Sequence, residues 1–193
     1  LSLILLKDLK KTQIVMRIQI FIIFLFFSIC TLNSQAQKKK WSQEDVKKAN
    51  KAIVEIKVKN KKISSFFSNA YGYAVFPSVG KGGIGIGGAY GKGTVFKKGG
   101  SAIGGVRLTQ VTIGFQFGGQ AYIEAIFFQS KSAFDNFVEG NFEFAPNVTA
   151  VALTEGAAIN VPYKNGVAVF TMAKGGLMYE ATVGGQKFNF IKP

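Results

Sequence analysis

The spacing of apolar residues along the chain changes character twice. Residues 20–29 form an apolar run broken only by Ser28. Farther on, Val46, Ala49, Ile53 and Ile56 recur at steps of three and four, which places them on one stripe of a helix. Ser42 with Asp45 three residues later supplies a helix-start signal, and Lys47, Lys48, Lys51 and Glu55 fall mostly off the stripe. A second short helical turn is expected over residues 63–69. From Tyr71 the period becomes two. Val111, Ile113, Phe115 and Phe117 alternate with Thr112, Gly114, Gln116 and Gly118, the pattern of a strand. Strands are expected near 71–76, 82–90, 92–97, 101–109, 110–118, 120–128, 141–145, 147–153, 167–172, 176–183 and 186–190. One helix interrupts them: Ser132 caps residues 133–139, Phe134, Phe137 and Val138 make its apolar face, and Gly140 stops it.

Glycine shapes the β-rich part. Seven Gly pairs occur at irregular intervals, so no solenoid repeat is present. Within strands, glycine marks bulges, sharp coiling or close backbone approach. The expected fold is therefore α+β. An N-terminal amphipathic helix or helix pair packs on a Gly-rich, strongly curved antiparallel β-sheet or barrel with one short inserted helix.

The front of the chain reads as an export signal. Met16 and Arg17 precede the apolar run, which is too short to span a bilayer, and Ser34 and Ala36 are the small residues of a cleavage site before Gln37. The expected organisation is residues 1–15 as spurious upstream sequence, 16–36 as a signal peptide and 37–193 as a single domain, with helices over 42–69 and the β-rich part over 71–190. Cys30 is preceded by Ile29 where a lipoprotein needs a small residue, so no lipid anchor is expected. After cleavage no cysteine remains, and 20 basic residues face 9 acidic ones. The expected location is the periplasm or the periphery of the cell envelope.

Chemistry is constrained mainly by what is missing. The chain has no His and one Cys, which removes the Ser/His/Asp relay, His zinc sites, CxxC pairs and any internal disulfide. The stretch from Gly83 to Gly88 satisfies GxGxxG, but it continues as Gly-rich strand, and no acid stands between Glu55 and Glu124 to hold a ribose. Gly91-Lys92-Gly93-Thr94 fails the phosphate-loop spacing. Glu124, Asp135, Glu139, Glu143, Glu155 and Glu180 are scattered singly, without the pairing that glycosidase chemistry needs. No enzyme activity, metal or cofactor is expected.

The acid-free interval carries the functional signal. Between Glu55 and Glu124 stand Lys57, Lys59, Lys61, Lys62, Lys81, Lys92, Lys97, Lys98 and Arg107. Such a block produces a positive potential suited to anions, and lysines near an acidic membrane each add to the attraction. Nucleic acid would use the same charges with Phe66, Phe67, Tyr71, Tyr73 and Tyr90 as stacking platforms. Export argues against that partner, and these aromatics read more simply as core.

From Ser68 to Gly83, with the run Asn69-Ala70-Tyr71-Gly72-Tyr73-Ala74-Val75-Phe76-Pro77, and on through the Gly-rich segment to Gly93, the chain resembles the SYLF lipid-binding family. Ser101-Ala102, the strand from Val111 to Gln120, the helix near Ala133, and Lys174-Gly175-Gly176-Leu177 continuing to Gly184-Gly185 extend the likeness over most of residues 48–190. Gly100 and Ile103 stand where the family has a Trp and a Pro, and its later G-P-V-G-R segment is not recognisable around residues 157–162. The resemblance implies N-terminal helices on a Gly-rich β structure, no catalytic residues and no cofactor. It also implies membrane binding through a basic N-terminal segment, with Lys57, Lys59, Lys61 and Lys62 meeting headgroups and Phe66 and Phe67 inserting or docking. The partner expected is an anionic lipid or membrane surface, or an acidic envelope polymer or protein. Actin and nucleic acid are not expected. The alternatives are a small outer-membrane β-barrel and a structural or partner-binding envelope module.

Overall fold

The computed structural model describes residues 40–140, 150–155 and 161–193. The expected signal peptide and the strand expected at 141–145 lie outside the described residues. Lys40–Pro193 forms one compact unit.

Helix α1, Gln43–Lys59, starts where the sequence signals it. Ser42 is extended, and its backbone N–H donates to Asp45 Oδ2 at 2.9 Å. Acidic Glu44 and Asp45 in the first turn and basic Lys57 and Lys59 in the last complement the helix dipole. Asn60 ends the helix and starts a 3₁₀ turn, Lys61–Ile63, by accepting the Lys62 N–H on its side chain at 3.1 Å. The turn runs directly into α2, Ser64–Asn69.

Three strands of unusual length follow. They are β1, Gly72–Lys97, β2, Ala102–Phe128, and β4, Val167–Ile191, with α3, Lys131–Val138, and the two-residue β3, Val151–Ala152, between β2 and β4. The sheet order is β1-β2-β4-β3, antiparallel except that β3 runs parallel to β4. Most of the short strands expected from sequence are therefore segments of three long ones. The glycine pairs keep their ladders: Gly82 pairs with Gly119, Gly83 with Gly118, and Gly119 in turn with Leu177. The expected strand 147–153 shrinks to Val151–Ala152 within the described residues. Helix α3 also begins earlier than expected. Its cap is Ser130, not Ser132, because the Ser130 hydroxyl accepts the Ala133 N–H at 3.3 Å.

Such strands are too long to stay flat, and glycines bend them. The β1/β2 register slips between Phe76 and Val79 and between Ile84 and Ile86, and the β2/β4 register slips between Ala121 and Tyr122. Around these slips Gly85, Gly118 and Gly176 take positive φ values of 70°, 116° and 94°, which side-chain-bearing residues resist. As a result β1 returns upon itself. The Lys98 N–H donates to the Tyr71 carbonyl at 3.0 Å, and Tyr73 stacks on Phe96 at 5.1 Å between ring centroids. Among the described residues no ladder joins β1 to β3, so the curved sheet stays open.

The fold-back makes three layers. The leg containing residues 72–79, 121–128 and 167–172 lies in the middle. Its Tyr73, Val75, Ile123, Ala125, Phe127, Ala168 and Phe170 face one core with Ala49, Ala52 and Ile56 of α1 and Phe67 of α2. The alternate residues Ala74, Phe76, Ile126, Phe128, Val167 and Val169 face a second core with Val95, Val106, Leu108 and Phe188 of the returning leg, closed by Phe134 and Phe137 of α3. A strand buried on both faces has no polar alternation, which is why these stretches read as continuous apolar runs.

The two legs touch through glycine. A Cβ added at Gly93 would stand 2.7 Å from the Val75 carbonyl and 2.8 Å from the Phe76 ring, while one at Gly80 would meet nothing within 4 Å. Gly93→Val should therefore lower stability by about 1–3 kcal/mol through overpacking, with Gly80→Ala within about 0.5 kcal/mol of the parent, both read from thermal unfolding.

Candidate functional site

The cations of the acid-free interval fall into three places. The largest group surrounds α2. Lys57, on the last turn of α1, sits over the Phe67 ring at 4.8 Å, a cation–π contact. Lys61 and Lys62 are exposed in the 3₁₀ turn that leads into α2. Lys97 and Lys98 are exposed in the β1–β2 turn, which the Lys98 N–H bonds to Tyr71, two residues beyond the end of α2. Phe67 packs edge-on against Tyr73 at 5.1 Å and Tyr73 stacks on Phe96, so an aromatic chain links the Lys57 contact to the Lys97 turn. Lys59 adjoins this group but meets Glu155 at 3.6 Å.

Lys92 and Arg107 form the second place, opposite each other on the returning leg. Lys92 is committed to structure: it donates to Asp45 Oδ2 at 2.8 Å and to the Lys40 carbonyl at 3.2 Å. Partial burial raises the Asp45 carboxyl, but hydrogen bonds from Lys92 and Ser42 and the Lys92 charge outweigh it and hold the carboxyl below its usual range. Trp41 seals the same spot, donating its indole N–H to Thr94 Oγ1 at 3.2 Å and lying where a Gly105 side chain would otherwise project. Together these contacts pin the start of α1 to the sheet. Lys81 is the third place, near the bend of β1, where its charge acts on Glu124.

Phe66 and Phe67 are docked rather than presented. Phe66 meets Phe170 edge-on at 4.8 Å and Phe67 meets Phe127 at 4.8 Å, both in the core beneath the helices. Extending either ring into a bilayer would open that core. The outer face of α1 carries what the sequence pattern had hidden. Val54 and Val58 are 61% and 76% exposed. They continue an exposed i, i+4, i+7, i+11 row that begins with Lys47 and Lys51. Their spacing of four residues was the available signal, masked by the stronger Ile53 and Ile56 stripe.

The chain is similar to Beta cell expansion factor A of Aeromonas veronii. Identity is 28% over 149 residues, covering 72% of this chain and 53% of that protein, so the chain spans about half the length of the curated relative it matches. No family model matches the chain.

The motifs and acids weighed for catalysis take these places. The Gly83 to Gly88 motif lies inside β1, not in a loop before a helix. Among the described residues no three His, Cys, Asp or Glu side chains group as a metal site. Asp135 pairs with Lys131 on α3 and Glu155 with Lys59, while Glu143 lies outside the described residues. Glu124 is the exception, fully buried between the two legs. Gln186 of the returning leg donates to its Oε2 at 3.0 Å, and among the described residues Oε1 has no hydrogen-bond partner.

Burial dominates the Glu124 environment and pushes its pKa up to about 7, against the opposing influence of Gln186 and Lys81. The folded protein thus holds this proton through a range in which the unfolded chain, titrating near 4.5, has released it. The folded state binds more protons there, so this group's contribution to stability falls as pH rises from about 4.5 to about 7 and stays at its lowest above that. Glu124→Gln should remove this dependence. The melting-temperature difference between variant and parent should grow in the variant's favour from about pH 5 to about pH 8.

Proposed function

We propose that this chain is a non-enzymatic SYLF-type domain, exported to the cell envelope, that binds anionic membrane surface peripherally through its helical end. The observation that carries the reading is the clustering of Lys57, Lys61, Lys62, Lys97 and Lys98 around α2, from segments separated by about the whole length of β1. Charges brought together by folding produce a stronger local field than the same charges spread over the surface. The exposed Lys47, Lys51, Val54, Val58 row on α1 adds two apolar side chains among cations, a combination suited to a headgroup layer. The family assignment is supported by the sequence motifs, by the helices-on-curved-sheet architecture and by the similarity to the Aeromonas veronii protein.

A membrane-spanning barrel is a weaker reading. Such a barrel closes its sheet and turns its apolar residues outward. Here the strand order leaves the sheet open among the described residues, and Phe76, Phe128, Phe170 and Phe188 are buried. An envelope module that meets an acidic polymer or protein would use the same lysines and is separated by the choice of ligand.

Residues 37–193 should co-sediment with vesicles containing phosphatidylglycerol, not with phosphatidylcholine alone, and should be released by salt as the lysine charges are screened. Reversing Lys57, Lys61, Lys62 and Lys98 to Glu should weaken binding by about 10³-fold or more. Unchanged binding by that variant would refute the lysine surface, and binding to an acidic polysaccharide but not to vesicles would move the assignment to the envelope module.

A further inference from the structure

We infer that the bend of the sheet is a second, apolar membrane contact that inserts into the outer layer of an anionic bilayer. Where the three strands turn back, Ile84, Ile86, Val111, Ile113 and Phe117 are 60–77% exposed. Their register makes them one patch: Ile84 pairs with Phe117, Ile86 with Ile113, and Val111 with Gly88. Paired residues point to the same face, and Val111, Ile113 and Phe117 share parity on β2, so the five side chains stand side by side. Across the other ladder, Ile113 stands opposite Val183 and Phe117 opposite Tyr179. Neither core includes any of the five.

The surroundings favour a bilayer over a protein partner. One row beyond Ile86 and Val111 on the returning leg, Tyr90, 56% exposed, pairs with Thr109, which pairs in turn with Lys187. On the other leg Lys81 pairs with Gln120 a few residues from Ile84, and exposed Lys174 lies beside the paired Gly175. An apolar tip edged by a tyrosine and lysines is the order of groups met on entering an anionic headgroup layer. The backbone also suits that environment, because β2 keeps an unbroken ladder with β4 from Val111 to Phe117.

The inference takes from the proposed function only the kind of lipid, and its experiment separates the two. Residues 37–193 contain no cysteine, so Phe117→Cys and Val58→Cys each accept a single nitrobenzoxadiazole label. With vesicles of phosphatidylcholine and phosphatidylglycerol, the label at position 117 should brighten severalfold and be quenched by lipids brominated on the acyl chain. Ile84→Asp with Ile113→Asp should weaken vesicle binding by about tenfold or more with little change in melting temperature, since both positions are exposed. A label at position 117 that stays dim on bound protein overturns insertion at the bend and leaves the lysine surface standing. Failure of the parent to bind vesicles removes both. If the double Asp variant instead converts a dimer to a monomer by light scattering while vesicle binding is unchanged, the patch is a contact between copies and the inference fails.

Discussion

The structure depends on three long strands folding back over a core of aromatic and aliphatic side chains. Phe76, Val79, Val95, Val106, Leu108 and Phe188 are all fully buried between the legs. Burying that much apolar surface offsets the cost of bending each strand, and burying a Phe contributes on the order of 2 kcal/mol. The bend is possible only because the inner surface carries glycine where the legs meet. Gly91 would place a Cβ 2.8 Å from Val79 and Gly93 one 2.7 Å from the Val75 carbonyl. Larger residues would hold the legs apart and open the core that makes the bend favourable.

Everything else is arranged by that fold-back. It makes the first leg the middle layer, so its outer face needs a cover, which α1 and α2 supply. It returns the β1–β2 turn to the end of α2, which is how Lys97 and Lys98 come to share a surface with Lys57, Lys61 and Lys62. It also traps Glu124 between legs with Gln186 as its hydrogen-bond donor. A half-satisfied buried carboxyl opposes stability, and the surrounding apolar packing has to outweigh it.

The two surfaces proposed for membrane contact differ in physical origin. Around α2 the attraction is electrostatic, long in range and sensitive to salt. At the bend it is apolar, short in range and insensitive to salt. The bend remains uncovered because the cores lie in the legs: neither α1, which caps the first leg, nor α3, which closes the second core, contributes to the patch of Ile84, Ile86, Val111, Ile113 and Phe117. The clean alternation of Val111, Ile113 and Phe117 is thus the mark of a sheet with one face against the rest of the molecule and one left open, whereas the runs Ala74-Val75-Phe76 and Ile126-Phe127-Phe128 mark burial on both faces.

Local patterns by themselves determined the helices, the strand character from Tyr71 onward and the acid-free basic interval, because caps, periodicity and charge are properties of neighbours in sequence. Ser42 with Asp45, the Ile53 and Ile56 stripe and the Phe134 and Phe137 face all lie where the pattern puts them. Only the tertiary structure decided that the short strands join into three continuous ones, since whether a glycine bends a strand or ends it depends on the partner strand. It alone decided which lysines converge, that Phe66 and Phe67 face inward, that Glu124 is buried and that the alternating apolar row is exposed. Each of these depends on contacts between residues distant along the chain, and such contacts are set by the fold-back rather than by any local preference.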